Sequence, residues 1–138
     1  MMDGMSIAAS GLQAASLQFN IAASNIVNLS DSGPVPGTPP QQPVAQGSGA
    51  VYQPLTVAQS PVSGGGVSAS VQPSLPAYTL AYDPGAPFAN VQGMVAMPNT
   101  DLATQMVDLS QAANGFKASL TAYEASSRMF KSLLNMVA

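Results

Sequence analysis

The residues from which active sites are usually assembled are nearly absent from this 138-residue chain. It has no histidine and no cysteine, which removes the commonest general base, the commonest metal ligand and the best nucleophile. It also rules out a disulfide framework and thiolate metal sites. Of six carboxylates, Asp101 and Asp108 stand seven apart, a spacing that lines two acids along one helix face. With no base beside them, they read as part of a solvated face. A Ser–Lys dyad through Lys117 or Lys131 lacks any glycine-rich elbow or oxyanion signature. Gly64-Gly65-Gly66 lacks the following Lys-Ser/Thr of a phosphate loop and reads as a turn. Met5, Met94, Met97, Met106, Met129 and Met136 fall on apolar stripes or their flanks, where thioethers fill irregular contacts. Phe19, Phe116, Tyr123 and Phe130 have no basic residues interleaved among them, so they are not a base-stacking platform. Three basic residues against six acidic ones give a net charge of −3 and no phosphate-binding stripe. The expectation is a protein that is not an enzyme, with no metal, cofactor, small-molecule substrate or nucleic acid.

What the spacing supports is packing. From Asn99 to the end, Leu102, Met106, Leu109, Ala113, Phe116, Leu120, Tyr123, Ser127, Phe130, Leu134 and Val137 step four, three, four, three. A mean step of 3.5 residues keeps one stripe of a long helix turned toward the same neighbour. No proline interrupts the run, and Gly115 lies off the stripe. Near the start, Met5, Ala8, Leu12, Ala15, Phe19, Ala22, Ile26 and Leu29 follow the same rule, with alanine at every second position. Such small residues let helix axes approach closely, and Gly11 leaves a gap suited to a large side chain from a neighbour. Ile7, Ala14 and Ile21 form a second apolar line on this helix, with Leu17 further round. A helix apolar on two faces needs two neighbours. Since the chain offers only one other long helix, that excess points to association with other chains rather than to a simple two-helix hairpin.

Between the ends the composition changes. All twelve prolines lie from Pro34 to Pro98. Residues 30 to about 66 read as a loop or disordered arm, with Pro36, Pro39, Pro40 and Pro43 holding extended conformations. A short strand over Ala50–Gln53 and Leu55–Val57 is interrupted by Pro54. Val67–Val71 and Tyr78–Tyr82 are better strand candidates, and Val91–Met97 leads into the last helix, capped by Asn99 or Thr100. Asp101 and Asp108 near its start and Lys117, Arg128 and Lys131 toward its end suit the macrodipole, and Glu124–Arg128 is a favourable i,i+4 pair. The predicted fold is mainly α. Long N- and C-terminal helices (1–29 and 99–138) pack as a coiled-coil-like bundle, and an irregular Pro/Gly-rich middle (30–98) contains short β strands. Charged residues make up only 7 % of the chain, against roughly 25 % for ordinary domains, a surface that invites association. No basic n-region precedes an apolar run, so a cleaved leader is not expected, and no apolar run is long enough for a membrane-spanning helix.

These residues also carry a resemblance. Ser10-Gly11-Leu12, then Asn20-Ile21-Ala22-Ala23-Ser24-Asn25-Ile26-Val27-Asn28, is similar to the N-terminal signature of bacterial flagellar axial proteins, the basal-body rod group in particular. Tyr82-Asp83-Pro84-Gly85-Ala86-Pro87-Phe88-Ala89, Gly93-Met94-Val95, Met97-Pro98-Asn99-Thr100-Asp101-Leu102 and Met106-Val107-Asp108-Leu109 resemble the second half of that group's small members. Ser24, Asn25, Asn28, Pro98 and Asn99 are the motif positions. The sequence departs from the family pattern at Met94, often tyrosine, at Gln105, often an acid, and over Ala113–Phe116.

The resemblance implies a subunit of the hollow rod that crosses the periplasm and transmits torque, exported by the flagellar type III apparatus without a cleaved signal. Its partners would be copies of itself, other rod proteins, the export apparatus and basal-body rings. The assembly surface is then expected at Met5, Leu12, Phe19 and Ile26 and at Leu102, Met106, Leu109, Phe116, Leu120, Tyr123, Phe130 and Leu134. A secreted translocator acting on membranes through amphipathic helices is the competing reading; its polar faces lack the lysines and arginines that lipid surfaces attract.

Overall fold

The computed structural model describes residues 2–42 and 49–137. Pro43 lies outside them, as do Ala138 and the side chain of Val137 at the end of the expected apolar stripe. The elements run α1 (Met2–Val27), β1 (Leu55–Pro61), β2 (Val67–Pro73), β3 (Tyr78–Tyr82), β4 (Met94–Pro98) and α2 (Leu102–Val137). Two long helices bracket a middle of short antiparallel strands. At 26 and 36 residues the helices are about 39 and 54 Å long.

The helices form an antiparallel pair, and their line of contact is made of small residues. A side-chain carbon added to Gly4 would meet Ser126, one on Gly11 would meet the Ser119 hydroxyl at 2.6 Å, and one on Gly115 would lie 3.8 Å from Ala15. Asn25 bonds Gln105 further along. Each step down α1 is matched by an equal step back along α2. Ala8, Ala15 and Ala22 on α1 and Ala112 on α2 are buried along this line. The gap at Gly11 is therefore filled by the hydroxymethyl of Ser119, not by a large side chain as the sequence suggested. Small side chains on both surfaces permit close approach of the backbones, where dispersion contacts accumulate.

The second apolar line of α1 is covered in part within the chain: Ala14 is buried and Leu17 and Ile21 are half-buried, while Ile7 is 39 % exposed. β1 and β2 pair from Leu55↔Pro73 to Pro61↔Val67, and this hairpin lies along α1. At its tip, Gly64, Gly65 and Gly66 all have φ near +95° to +99°, a conformation L side chains rarely adopt. Gly65 sits against Ile7, with room for no side chain. The Ser10 hydroxyl accepts from Val67 N at 3.1 Å, and Gln59 meets Gln18 midway. Ala14 is buried beneath the arm.

The described residues of the proline-rich stretch before Pro43 are likewise tied to the rest of the chain. Gly33 and Ala96 exchange two backbone bonds of 2.9 Å, and Pro40 bridges Asn90. β3 pairs β4 from Tyr78↔Pro98 to Tyr82↔Met94, so β4 is covered on both edges, and its Val95 and Ala96 are buried. Asn90 fastens the β3–β4 connection, its Oδ1 accepting from Gln92 N and Met94 N. The expected strand at Ala50–Gln53 does not form; β1 begins after Pro54, whose missing N–H cannot enter a ladder.

The closeness of the helices is testable. Gly11→Leu should force α1 and α2 apart and cost about 1–3 kcal/mol by overpacking. Gly11→Ala should be nearly neutral, because Ser119 can rotate away and alanine returns about 1 kcal/mol of helix propensity. Thermal melts of the two variants check this, and equal midpoints would rule out the close approach.

Candidate functional site

The α1–α2 pair leaves one long flank open, and the large members of the expected stripes lie on it. On α1 the stripe is divided: Ala8, Ala15 and Ala22 face α2, while Met5, Leu12 and Ile26 are half-buried and Phe19 is 46 % exposed. On α2 the inward residues are Gln105, Ala112, Gly115, Ser119 and Ser126, one position away from the expected stripe. Leu102, Met106, Phe116, Leu120, Phe130 and Leu134 are exposed as a result, with Leu109 and Tyr123 half-buried. The sequence-expected contact between the two large-residue stripes does not occur within one chain.

Phe19 and Phe116 nevertheless come together from the two helices. With Ala15, Ser16, Ala112, Ala113 and the stem of Lys117 they line an apolar groove of about 300 Å³. The stripe continues past the start of α1, because the last turns of α2 have no helix opposite them. Met129, Phe130, Leu134 and Met136 on this overhang are all exposed.

The motif residues are elsewhere, and they are structural. Asn25, 2 % exposed, gives its Nδ2 hydrogens to Leu55 O and Gln105 Oε1, both at 2.8 Å. Its Oδ1 accepts from Tyr52 Oη at 3.0 Å and Leu55 N at 3.1 Å. The phenol's one proton is committed there, so Ser24 Oγ is the donor in the 3.2 Å bond to Tyr52. Asn28 Nδ2 donates to Ser24 O at 2.9 Å near the end of α1. Pro98 is buried at the end of β4, and Asn99 Nδ2 reaches Pro76 O at 3.0 Å.

Asp101, not Asn99 or Thr100, caps α2. Its Oδ2 accepts from Thr104 N at 3.0 Å and from Thr104 Oγ1 at 2.6 Å, satisfying an N–H the helix leaves open. The Thr104 hydroxyl first, then its backbone N–H and that of Ala103, hold the Asp101 carboxyl below its ordinary value of 3.8, outweighing slight desolvation. Asp101 is thus a cap instead of one member of an acidic line. Sequence reasoning passed over it because Asn99 and Thr100 have equally good capping side chains. Asp101 and Asp108 both border a polar notch of about 430 Å³ between α1, β1 and the start of α2. Arg128 and Glu124 approach to 3.9 Å in solvent, a pair of little energetic weight. Lys131 lies more than a turn from the end of α2 at Val137, too far for the macrodipole to matter. Among the described residues no three or more His, Cys, Asp or Glu come together as a metal site, and no helix is long and apolar enough to cross a membrane.

Among the described residues the helix pair leaves an open apolar flank and brings no metal-ligand cluster together. Sequence comparison gives the family. The chain is 39% identical over 114 residues to the flagellar basal-body rod protein FlgC of Salmonella typhimurium, an alignment covering 83% of this chain and 81% of the relative. The chain belongs to the FlgC family of flagellar basal-body rod proteins. The FlgC protein of Aquifex aeolicus is 31% identical over 136 residues, 95% of each chain, and that of Borreliella burgdorferi 26% identical over 145 residues, 97% of this chain and 95% of the relative. Residues 91–136 also match the flagellar basal body rod FlgEFG protein C-terminal family. That match takes in β4, the Asp101 cap and nearly all of α2, the part of this FlgC-family chain with the longest open stripe.

The cap gives the protein an acid dependence of known sign. The folded-state Asp101 carboxyl is more acidic than the unfolded one. Its stabilising contribution is therefore complete above 3.8 and is lost as pH falls through the lower folded value. Asp101→Asn can still accept the Thr104 bonds but does not titrate. Acidification should lower the melting temperature of the wild type more than that of Asp101→Asn; parallel losses would show that the cap does not sense pH.

Proposed function

We propose that this chain is a structural subunit of the flagellar basal-body rod and polymerises through the open flank of its helix pair. The observation that carries the reading is the unbroken stripe Met106, Leu109, Phe116, Leu120, Tyr123, Phe130 and Leu134 with Phe19 beside it, most of it uncovered. Full burial of one such side chain is worth about 1.5–3 kcal/mol, so covering several of them supplies ample driving force for association. The partners we propose are copies of the chain and sibling rod proteins, meeting as a coiled-coil-like bundle of terminal helices around a hollow shaft in the periplasm. In this reading residues 1–29 and 99–138 form the axial unit, and residues 30–98 are a separate region available to ring components. Export by the flagellar type III apparatus without a cleaved signal belongs to the same proposal. Catalysis has no part in it, since the chain has neither histidine nor cysteine. Action on lipid is disfavoured because three basic residues are too few to hold a helix on an anionic surface.

Phe116 is 42 % exposed in the single chain, so Phe116→Asp should leave the helicity of the purified monomer unchanged. Between subunits, an unpaired carboxylate would cost at least ~3 kcal/mol. The variant should fail to restore rods or swimming to a strain lacking the wild-type gene. Normal motility would remove this flank from the interface.

A further inference from the structure

We propose that Asn25 is a joint that couples docking of the base of the β1–β2 arm to the pairing of the two helices. The inference stands on hydrogen bonds within one molecule and does not depend on the rod reading. Leu55, the first residue of β1, presents both its N–H and its C=O to the Asn25 amide. The side chain thereby takes the place of a strand residue, accepting at Oδ1 and donating at Nδ2. Tyr52 adds a second bond to Oδ1. These three bonds belong to the arm, and the fourth, from Nδ2 to Gln105 Oε1, belongs to α2.

That fourth bond reaches the amide from the other helix. An asparagine amide can turn over, exchanging its oxygen and nitrogen, and the hydrogen-bond network decides which way it sits. With the arm in place the Leu55 N–H and C=O fix the orientation of the amide; Gln105 Oε1 takes the remaining Nδ2 hydrogen from the α2 side and favours that same orientation. With Gln105 absent, the buried amide has an unsatisfied donor and no α2 group to hold its orientation. Turned over, it would set its N–H against the N–H of Leu55. Among the described residues the Gln105 side chain bonds Asn25 and no arm residue, so its effect there passes through Asn25. The far end of the arm is pinned independently, by Ser10 to Val67 N, so the joint acts at the arm's base.

Amide hydrogen exchange of the purified full-length chain, read by peptide mass spectrometry, tests this. Gln105→Ala should speed exchange across Leu55–Pro73 by about tenfold, the scale of one buried hydrogen bond. Exchange in the middle of α1 and α2 should not change. Gln105→Glu keeps an oxygen that accepts from Nδ2 and should restore wild-type exchange. Tyr52→Phe, which removes one arm bond and leaves the orientation favoured by Gln105, should loosen the arm less than Gln105→Ala. Asn25→Ala should loosen it most; if that variant does not fold, the Gln105 pair decides the matter alone. The proposal is overturned if Gln105→Ala leaves the arm unchanged, if it loosens arm and helices equally, if Gln105→Glu behaves like Gln105→Ala, or if the wild-type arm shows no protection.

Discussion

The close contact between the small-residue faces of α1 and α2 sets the terms for everything else in this protein. Gly4, Ala8, Gly11, Ala15 and Ala22 meet Ser126, Ser119, Gly115 and Ala112, and such surfaces bury little apolar area per residue. Among the described residues the interior is mostly alanine, and the largest fully buried side chain is Val95. Stability of this kind depends on fit between backbones more than on hydrophobic volume. It also leaves the large apolar side chains outside, because the face that packs at short range has no room for them.

The β1–β2 arm limits what that outside surface is. By lying along Ile7, Ser10, Ala14 and Gln18 it covers part of one apolar face of α1. The longest open flank is the one shared by both helices and prolonged by the overhang of α2. Such a flank suits an assembling subunit, since it gives neighbours a defined direction of approach. The arm is held by polar bonds at its two ends, Asn25 at the base and Ser10 at the tip. These fix position without adding greasy surface. The same economy appears in the second sheet, where Gly33 pairs with the free edge of β4 at Ala96, Pro40 bridges Asn90, and Asn90 fastens the loop. A chain with few charges cannot protect bare strand edges electrostatically; here backbone pairing does it.

Much of this was legible in the residues. Unbroken 3.5-residue periodicity without proline fixes two long helices. Alternating β-branched residues mark β2 and the run of three glycines the turn before it, though not the pairing with β1, and the missing histidine and cysteine remove most chemistry. The motif positions Ser24, Asn25 and Asn28 were visible as a pattern, but the purpose of Asn25 was not. Its partners Tyr52, Leu55 and Gln105 come from two distant segments that local spacing does not connect. The proline-rich segment read as a loose arm for a similar reason: its restraints are single bridges, Gly33 to Ala96 and Pro40 to Asn90, too short to leave a periodic trace.

By itself, then, the sequence determined that two helices exist, that each carries an apolar stripe, and that those stripes exceed what two helices can hide from water. Only the tertiary structure decided which stripe turned inward. On α2 the inner line of Gln105, Ala112, Ser119 and Ser126 and the outer line of Met106, Phe116 and Leu120 differ by about 100° of rotation, one residue's turn. Hydrophobicity ranks the outer line first, whereas close approach of two backbones favours the inner one. Periodicity is identical for both, so the choice rests on the steric fit between opposing helices, which exists only once they have met.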